Sequence, residues 1–140
     1  MTDREIIDTV HDILRESEYT HNALEAKSGI AATVFRAWFC YKYSPYLWSL
    51  YLCLAPLKCG ITVKGVGSTM TKPSTTDQEL VCAVRQAWYD SGLTLEELSA
   101  RSGIAPSTIG NWFYSGKSPR LVSICKVAEV CGATLGVTRL

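Results

Sequence analysis

Histidine is scarce in this chain, and the cysteines lack the spacing of a metal site. Only two histidines occur, His11 and His21, and the six cysteines include no Cys-x-x-Cys pair. Zinc sites usually combine such a pair with further ligands at short spacing. We therefore expect no metal or other cofactor, ordinary exposed histidines, mostly buried free thiols and a cytoplasmic location. Without a Cys–His pairing, a glycine-rich phosphate loop or clustered carboxylates, the sequence predicts no enzyme.

Long hydrophobic runs are also missing. The most apolar stretch, Tyr46 to Leu57, contains Pro56, and it is shorter than the roughly 20 residues that a membrane-spanning helix needs. The polar start, Thr2-Asp3-Arg4-Glu5, does not fit a signal peptide. With 47% hydrophobic and 19% charged residues, the composition is typical of a globular protein and not of a disordered one.

The chain has little net charge, but its charges are segregated. The formal net charge is +1. Residues 1–25 hold seven acidic and two basic residues, whereas residues 26–76 hold six basic residues and no acidic one. The pattern recurs, with five acidic residues and one basic residue in 77–97 and four basic residues alone in 98–128. A polar molecule with one mildly basic side predicts modest affinity for nucleic acid and a shallow salt dependence.

An internal repeat is the strongest feature that the sequence does have. Residues 28–45 read SGIAATVFRAWFCYKYSP, and residues 102–119 read SGIAPSTIGNWFYSGKSP. A shift of 74 positions gives 18 identities in 48 pairs over residues 2–49. The first copy then carries two extra residues, after which a shift of 72 aligns the copies. Two similar small units are predicted, with boundaries at 1–66 for the first domain, 67–75 for a flexible linker and 76–140 for the second domain.

Local signals predict four short helices in each copy. In the second copy, Thr94 with Glu97 fits a capping box, Gly103 suits a left-handed turn and Pro106 fits the first turn of a helix. The first copy predicts helices near 3–16, 21–28, 32–41 and 46–59. Pro56 should interrupt or shorten the fourth of these.

The remaining elements of the predicted fold are two β-leaning segments and a pair of core tryptophans. Ile61–Val63 and Ala133–Val137 end the two copies and could pair as a small antiparallel ribbon. Trp38 and Trp112 stand beside other apolar residues on their helices and are predicted to be core residues. The fold class is therefore all-α, with a short β-ribbon between the copies.

The second copy resembles the lambda-repressor/Cro-like (XRE) helix-turn-helix family. The resemblance rests on LSARSGIAPSTI at residues 98–109, the loop SGKSP at 115–119 and an apolar helix that ends in Cys131-Gly132. LEAKSGIA at residues 24–31 and Ser44-Pro45 repeat the pattern more loosely. The resemblance implies two tandem Cro/repressor-like domains in one chain, of bacterial or phage origin.

The resemblance also implies which residues contact DNA, because the third helix of such a domain enters the major groove. The implied base-reading residues are Ala105, Pro106, Ser107, Gly110 and Asn111 in the second copy, and Ala32, Thr33 and Arg36 in the first. Asn111 could pair bidentately with adenine, and Arg36 could read guanine. The implied phosphate contacts are Thr94, Lys117, Arg120, Thr20, Lys42 and Tyr43.

The implied function is a sequence-specific regulator of transcription, a repressor, that binds double-stranded DNA. Two units in one chain could act as a covalent pseudo-dimer on a pseudo-palindrome with unlike arms. The alternative is a protein-interaction antagonist that occludes a polymerase, an activator or a nuclease. An aromatic cluster would then form the surface for the protein partner: Tyr41, Tyr43, Tyr46, Trp48 and Tyr51.

Overall fold

The structure, a computed structural model, describes residues 2–65 and 72–140. Within these residues the chain forms eight helices and two strands. They are α1 (Asp3–Glu16), α2 (His21–Ser28), α3 (Ala32–Phe39), α4 (Leu47–Leu54), β1 (Cys59–Gly65), α5 (Asp77–Ser91), α6 (Leu95–Ser102), α7 (Pro106–Tyr114), α8 (Leu121–Val130) and β2 (Ala133–Arg139). None of these helices is both long and apolar enough to cross a membrane.

The two halves of the chain, residues 2–65 and 72–140, have the same order of four helices and one strand. The first two helices of the first half have the predicted bounds. The third ends two residues earlier than predicted, because Tyr41 adopts a left-handed φ of 59° that a right-handed helix cannot include. The fourth ends at Leu54, before Pro56, as the helix-breaking effect of proline requires.

Local caps and turns set the helix boundaries. The Thr94 hydroxyl accepts a hydrogen bond from the Glu97 amide, and the Thr94 amide donates one to the Glu97 carboxylate, so the predicted capping box is confirmed. Gly103 and Gly29 end α6 and α2 with φ of 75° and 76°. Glycine adopts this left-handed conformation without strain, which allows the sharp turn into α7 and α3.

The small antiparallel ribbon predicted from the two β-leaning segments is confirmed. β1 and β2 pair antiparallel, with Thr62 opposite Gly136 at the centre of the register and Val63 opposite Leu135 beside it. The side chains of Ile61, Val63 and Leu135 are buried, so the ribbon contributes to a core shared by both halves. Ser74 exchanges two backbone hydrogen bonds with Ile61, of 3.0 and 2.8 Å. The end of the predicted linker 67–75 is therefore attached to β1, while residues 66–71 lie outside the described part.

Reciprocal hydrogen bonds join the two halves beside α4 and α8. The Leu47 amide donates to the Pro119 carbonyl at 2.9 Å, and the Leu121 amide donates to the Pro45 carbonyl at 2.8 Å. These two bonds are related by the shift of 74 residues. Hence each half makes the same backbone contact to the other.

The contacts between the halves follow an approximate two-fold axis. Tyr46 forms a β-bridge with Arg120, the residue 74 positions later. Val63 lies opposite Leu135, the residue 72 positions later. A two-fold axis is the one operation that brings a position of one unit against the equivalent position of another. The axis therefore runs from the Tyr46–Arg120 bridge to the Val63–Leu135 pair of the ribbon.

Tryptophan and cysteine show how far composition predicted burial. Trp38 and Trp112 are both buried, as predicted for core residues. All six cysteines are free thiols. Cys53 and Cys59 are buried, and burial raises the pKa of the Cys53 thiol to about 11. Cys125 and Cys131 are half-buried, and Cys40 and Cys82 are exposed, so the prediction of mostly buried thiols was wrong.

Candidate nucleic-acid interface

The α6–turn–α7 segment has the geometry of a helix-turn-helix, and its turn is fixed by side-chain hydrogen bonds. Ser99 donates through its hydroxyl to the Ile104 carbonyl at 2.6 Å, and the Ile104 amide donates to the Ser102 hydroxyl at 3.3 Å. On α7, Ile109 and Trp112 are buried against the rest of the domain. With that face anchored, the opposite face of α7 is directed outward.

The outward face of α7 is small, polar and uncommitted. Ala105, Pro106 and Ser107 are exposed, and Gly110 and Asn111 are half-buried. An ideal Cβ at Gly110 would meet no atom within 4 Å, so the helix surface there is open. The side chains of Ser107 and Asn111 make no hydrogen bond with the described part of the chain. Their donors and acceptors are therefore available to a base edge.

The corresponding face of α3 offers less to a ligand. Thr33 and Arg36 are exposed, but Ala32 is buried, with 6% of its surface accessible. The prediction of Ala32 as a base-reading residue was wrong for that reason. The Ala32 amide donates a hydrogen bond to Glu25 Oε1 at 2.8 Å. Glu25, which sequence reasoning missed, thus places a carboxylate at the N-terminus of α3. Its negative charge interacts favourably with the helix dipole there and repels an approaching phosphate.

Arg36 is held by a histidine that was predicted to be an ordinary exposed residue. The Arg36 Nε donates a hydrogen bond to His21 Nδ1 at 2.8 Å. The His21 ring also packs edge-on against Phe35, with 5.5 Å between ring centroids. His21 is the first residue of α2, so the contact links α2 to the reading face of α3. No spacing rule in the sequence pairs these two residues, which are 15 positions apart.

The predicted phosphate contacts differ in how free they are. Lys42, Lys117 and Tyr43 are exposed. Thr20 and Thr94 are also exposed, and their hydroxyls cap the N-termini of α2 and α6, where free amides point outward.

Arg120 is engaged within the protein. Its Nη1 donates to the Ser44 carbonyl at 2.8 Å, and its guanidinium lies 4.2 Å from the Tyr46 ring centroid. Tyr46 and Ser44 belong to the first half and Arg120 to the second, so these contacts tie the halves together at the axis.

Different side chains support the C-terminal ends of the two outward helices, and sequence reasoning missed both. Arg85 Nη1 donates to the Phe113 carbonyl at 2.6 Å, near the end of α7. The equivalent residue in the first half is His11, which stacks on Phe39 with 4.2 Å between ring centroids. Burial, and then the positive charge of Arg15, lower the pKa of His11 below its ordinary value.

A pair of tyrosines lies beside the end of α7. The Tyr89 and Tyr114 hydroxyls are 3.1 Å apart, and both side chains are exposed. The hydrogen bond with Tyr89, followed by desolvation, raises the pKa of Tyr114.

The aromatic cluster predicted as a protein-binding surface is only partly available. Tyr51 is buried, with 7% of its surface accessible, so its assignment to that surface was wrong. The Tyr41 hydroxyl donates to Asp8, and the Arg4 guanidinium lies 4.7 Å from the Tyr41 ring centroid. Trp48 is half exposed.

Comparison with known proteins assigns one segment of the chain. A search of curated proteins and a search of solved structures both returned no match. Within residues 2–65 and 72–140, no group of three or more His, Cys, Asp or Glu side chains is placed to hold a metal ion. A match to a family model was found over residues 85–137, which hold α6, α7 and α8 with parts of α5 and β2. This segment of the second half matches the helix-turn-helix family.

Proposed function

We propose that the chain binds double-stranded DNA with sequence selectivity and represses transcription from the bound site. The observation that carries this proposal is the coincidence of two independent features. The family match covers the α6–turn–α7 segment, and the outward face of α7 within that segment presents Ser107 and Asn111 with uncommitted polar groups. In helix-turn-helix domains this face lies in the major groove.

The second step of the proposal is that the halves act together as a covalent pseudo-dimer. It is supported by the reciprocal contacts between Leu47 and Pro119 and between Leu121 and Pro45. The same approximate two-fold axis relates α3 to α7. A symmetric dimer places its reading helices in successive major grooves, roughly 34 Å apart. A single chain with this symmetry would therefore bind a pseudo-palindromic site.

The two arms of that site are expected to contribute unequally. In the second half, Asn111 can form a bidentate pair with adenine. In the first half, Ala32 is buried and Glu25 adds negative charge at the N-terminus of α3. Arg36 is left as the main side chain on that face that can reach a base. We expect the second half to supply most of the selectivity.

The test is selection of bound duplexes from a random-sequence pool at low and moderate salt. Wild type is compared with Asn111→Ala and Arg36→Ala. Thr134→Ala is the matched control, because Thr134 is exposed on the ribbon, which packs against α1, α4, α5 and α8. Loss of a bidentate base contact costs about 1–3 kcal/mol, so Asn111→Ala should lower affinity for the selected duplex about tenfold.

The outcomes separate the two steps of the proposal. A smaller loss for Arg36→Ala than for Asn111→Ala supports unequal arms, and equal losses support two equivalent arms. Selected sites with a single arm would contradict the pseudo-dimer but not DNA binding. Failure of wild type to bind any duplex at low salt would overturn the whole proposal.

The second candidate is the protein-interaction antagonist. Trp48 and Leu52 favour it, because both are exposed and they lie one turn apart on α4. This function requires a protein ligand that wild type binds and Trp48→Ala does not. If Trp48→Ala retains full DNA binding, the surface around Trp48 has no part in DNA recognition.

A further inference from the structure

The contact between His21 and Arg36 belongs to the first half alone. The equivalent positions in the second half are Leu95 and Gly110, which can form neither side of the hydrogen bond. The two outward helices therefore differ at a position that lies toward DNA under the proposed function. A difference at this position would let the two halves recognise different bases.

The geometry of the contact defines what each group can still do. Arginine Nε always carries its proton, so His21 Nδ1 must be the acceptor and the proton of the neutral imidazole lies on Nε2. With Nε occupied at 2.8 Å, the guanidinium retains its two Nη groups as an end-on fork. Neither Nη group has a hydrogen-bond partner in the described part of the chain. Such a fork matches O6 and N7 of guanine.

His21 is itself held in place, which gives the contact a fixed direction. It is the first residue of α2, and its ring rests edge-on against Phe35, which is completely buried. A side chain anchored at its base and at its ring restricts the arginine that donates to it. The fork of Arg36 is thereby ordered before any ligand arrives, which reduces the entropy lost on binding.

We propose that His21 is a positioning residue that directs Arg36 toward a guanine in one arm of the DNA site. The inference rests on the proposed function and adds the base recognised by the first half. It makes the pseudo-palindrome asymmetric, with a guanine read by Arg36 in one arm. The other arm has no counterpart of this contact, because Gly110 has no side chain.

The experiment uses the full chain and the duplex selected by wild type. His21→Leu installs the leucine that the second half has at this position, retaining an apolar contact with Phe35 but removing the acceptor. His21→Asn restores an acceptor oxygen at nearly the same distance from the backbone. Affinity is measured for the selected duplex, for the same duplex with 7-deazaguanine in place of the arm guanine, and for a duplex altered at the adenine read by Asn111.

Wild type should lose about tenfold in affinity when the guanine loses N7. In His21→Leu this discrimination should fall below about threefold, and in His21→Asn most of it should return. Discrimination at the Asn111 adenine should stay the same in all variants, because that contact lies in the other arm. A purely structural role for His21 would weaken both arms together and would not be rescued by asparagine.

Three results would overturn the inference. One is full guanine discrimination in His21→Leu. Another is equal loss at both arms in both variants, since His21 would then support folding. The third is a wild-type protein that selects a duplex without any guanine preference, which leaves the proposed function standing. Absence of duplex binding by wild type is distinct from these results, because it removes the proposed function itself.

Discussion

At the scale of single residues, Gly110 shows a conflict between stability and the proposed function. Glycine inside a helix costs about 0.5–1 kcal/mol relative to alanine, and a Cβ at this position would meet no other atom. We expect Gly110→Ala to raise the free energy of unfolding by about that amount. The added methyl group would also separate α7 from the base pairs, so DNA affinity should fall severalfold. Urea unfolding and duplex binding measure the two effects.

Gly103→Ala is the matched control for this prediction. Gly103 has a φ of 75°, a conformation that costs a residue with a Cβ about 1–2 kcal/mol. The same substitution should therefore destabilise the protein at Gly103 and stabilise it at Gly110. A stabilised Gly110→Ala with unchanged DNA affinity would contradict close approach of α7 to DNA.

His11 gives the molecule a pH dependence of known sign. Burial against Phe39 holds the pKa of His11 below its unfolded value of 6.5. Between the folded and the unfolded pKa of His11, the unfolded chain binds more protons than the folded one. The contribution of His11 to the free energy of unfolding is therefore fully present above pH 6.5 and is lost as the pH is lowered through the folded pKa. His11→Phe keeps a ring against Phe39 but removes the titration. We expect its free energy of unfolding to fall less than that of wild type between pH 7 and pH 5.

The comparison of the two chains isolates His11, since every other titrating group is common to both. Parallel pH profiles for wild type and His11→Phe would contradict this prediction, because they would show that His11 has the same pKa in the folded and unfolded states.

At the scale of secondary-structure elements, α4 and α8 have caps supplied by the opposite half. The residues that precede them, Tyr46 and Arg120, make no side-chain cap. Instead, the Trp48 amide donates to the Ser118 hydroxyl at 3.1 Å, and the Val122 amide donates to the Ser44 hydroxyl at 2.9 Å. The first turn of each helix is therefore capped by a serine hydroxyl of the other half.

We expect Ser118→Ala and Ser44→Ala to lower the free energy of unfolding by about 1 kcal/mol each, as loss of a capping hydroxyl usually does. Because the two caps share neither a donor nor an acceptor, the double variant should lose about the sum. Urea denaturation measures all three. Thr108→Ala, on an exposed position of α7, is the control and should change stability by less than about 0.5 kcal/mol. Unchanged stability in both serine variants would show that the caps contribute nothing.

The limits of sequence prediction also appear at this scale. The capping box at Thr94 and the left-handed turn at Gly103 were predicted because their signals lie within a few residues. The caps of α4 and α8 depend on residues 70 and 78 positions away, so no local pattern reports them. The fold was therefore more predictable than the candidate site, where the burial of Ala32 arises from tertiary packing.

At the scale of the whole molecule, an unlike pair lies on an otherwise symmetric axis. Tyr46 faces Arg120, and the guanidinium lies over the tyrosine ring. A dimer of two identical halves would place two arginines or two tyrosines at this point. A cation–π contact of about 0.5–1 kcal/mol favours the unlike combination over like-charged arginines. This contact therefore favours pairing of the two halves over pairing of two copies of the second half.

Charge distribution over the whole molecule sets the salt dependence of DNA binding. The net charge is +1, and Arg120 is already engaged with Ser44. Lys42, Lys117 and Arg36 are the exposed cations that the proposal places beside DNA. Because Arg36 is proposed to read a base, Lys42 and Lys117 are left to contact phosphates. With about two phosphates neutralised, the slope of log affinity against log salt should be about −2.

Lys117→Gln should make that slope shallower by about one unit and weaken all duplexes alike, because a phosphate contact carries no sequence information. Lys64→Gln is the matched control, since it removes the same charge from an exposed position of β1 on the ribbon. Its slope should equal that of wild type. A wild-type slope steeper than about −6 would require cations beyond those on the proposed face. Equal slopes for the two lysine variants would place the bound DNA elsewhere on the molecule.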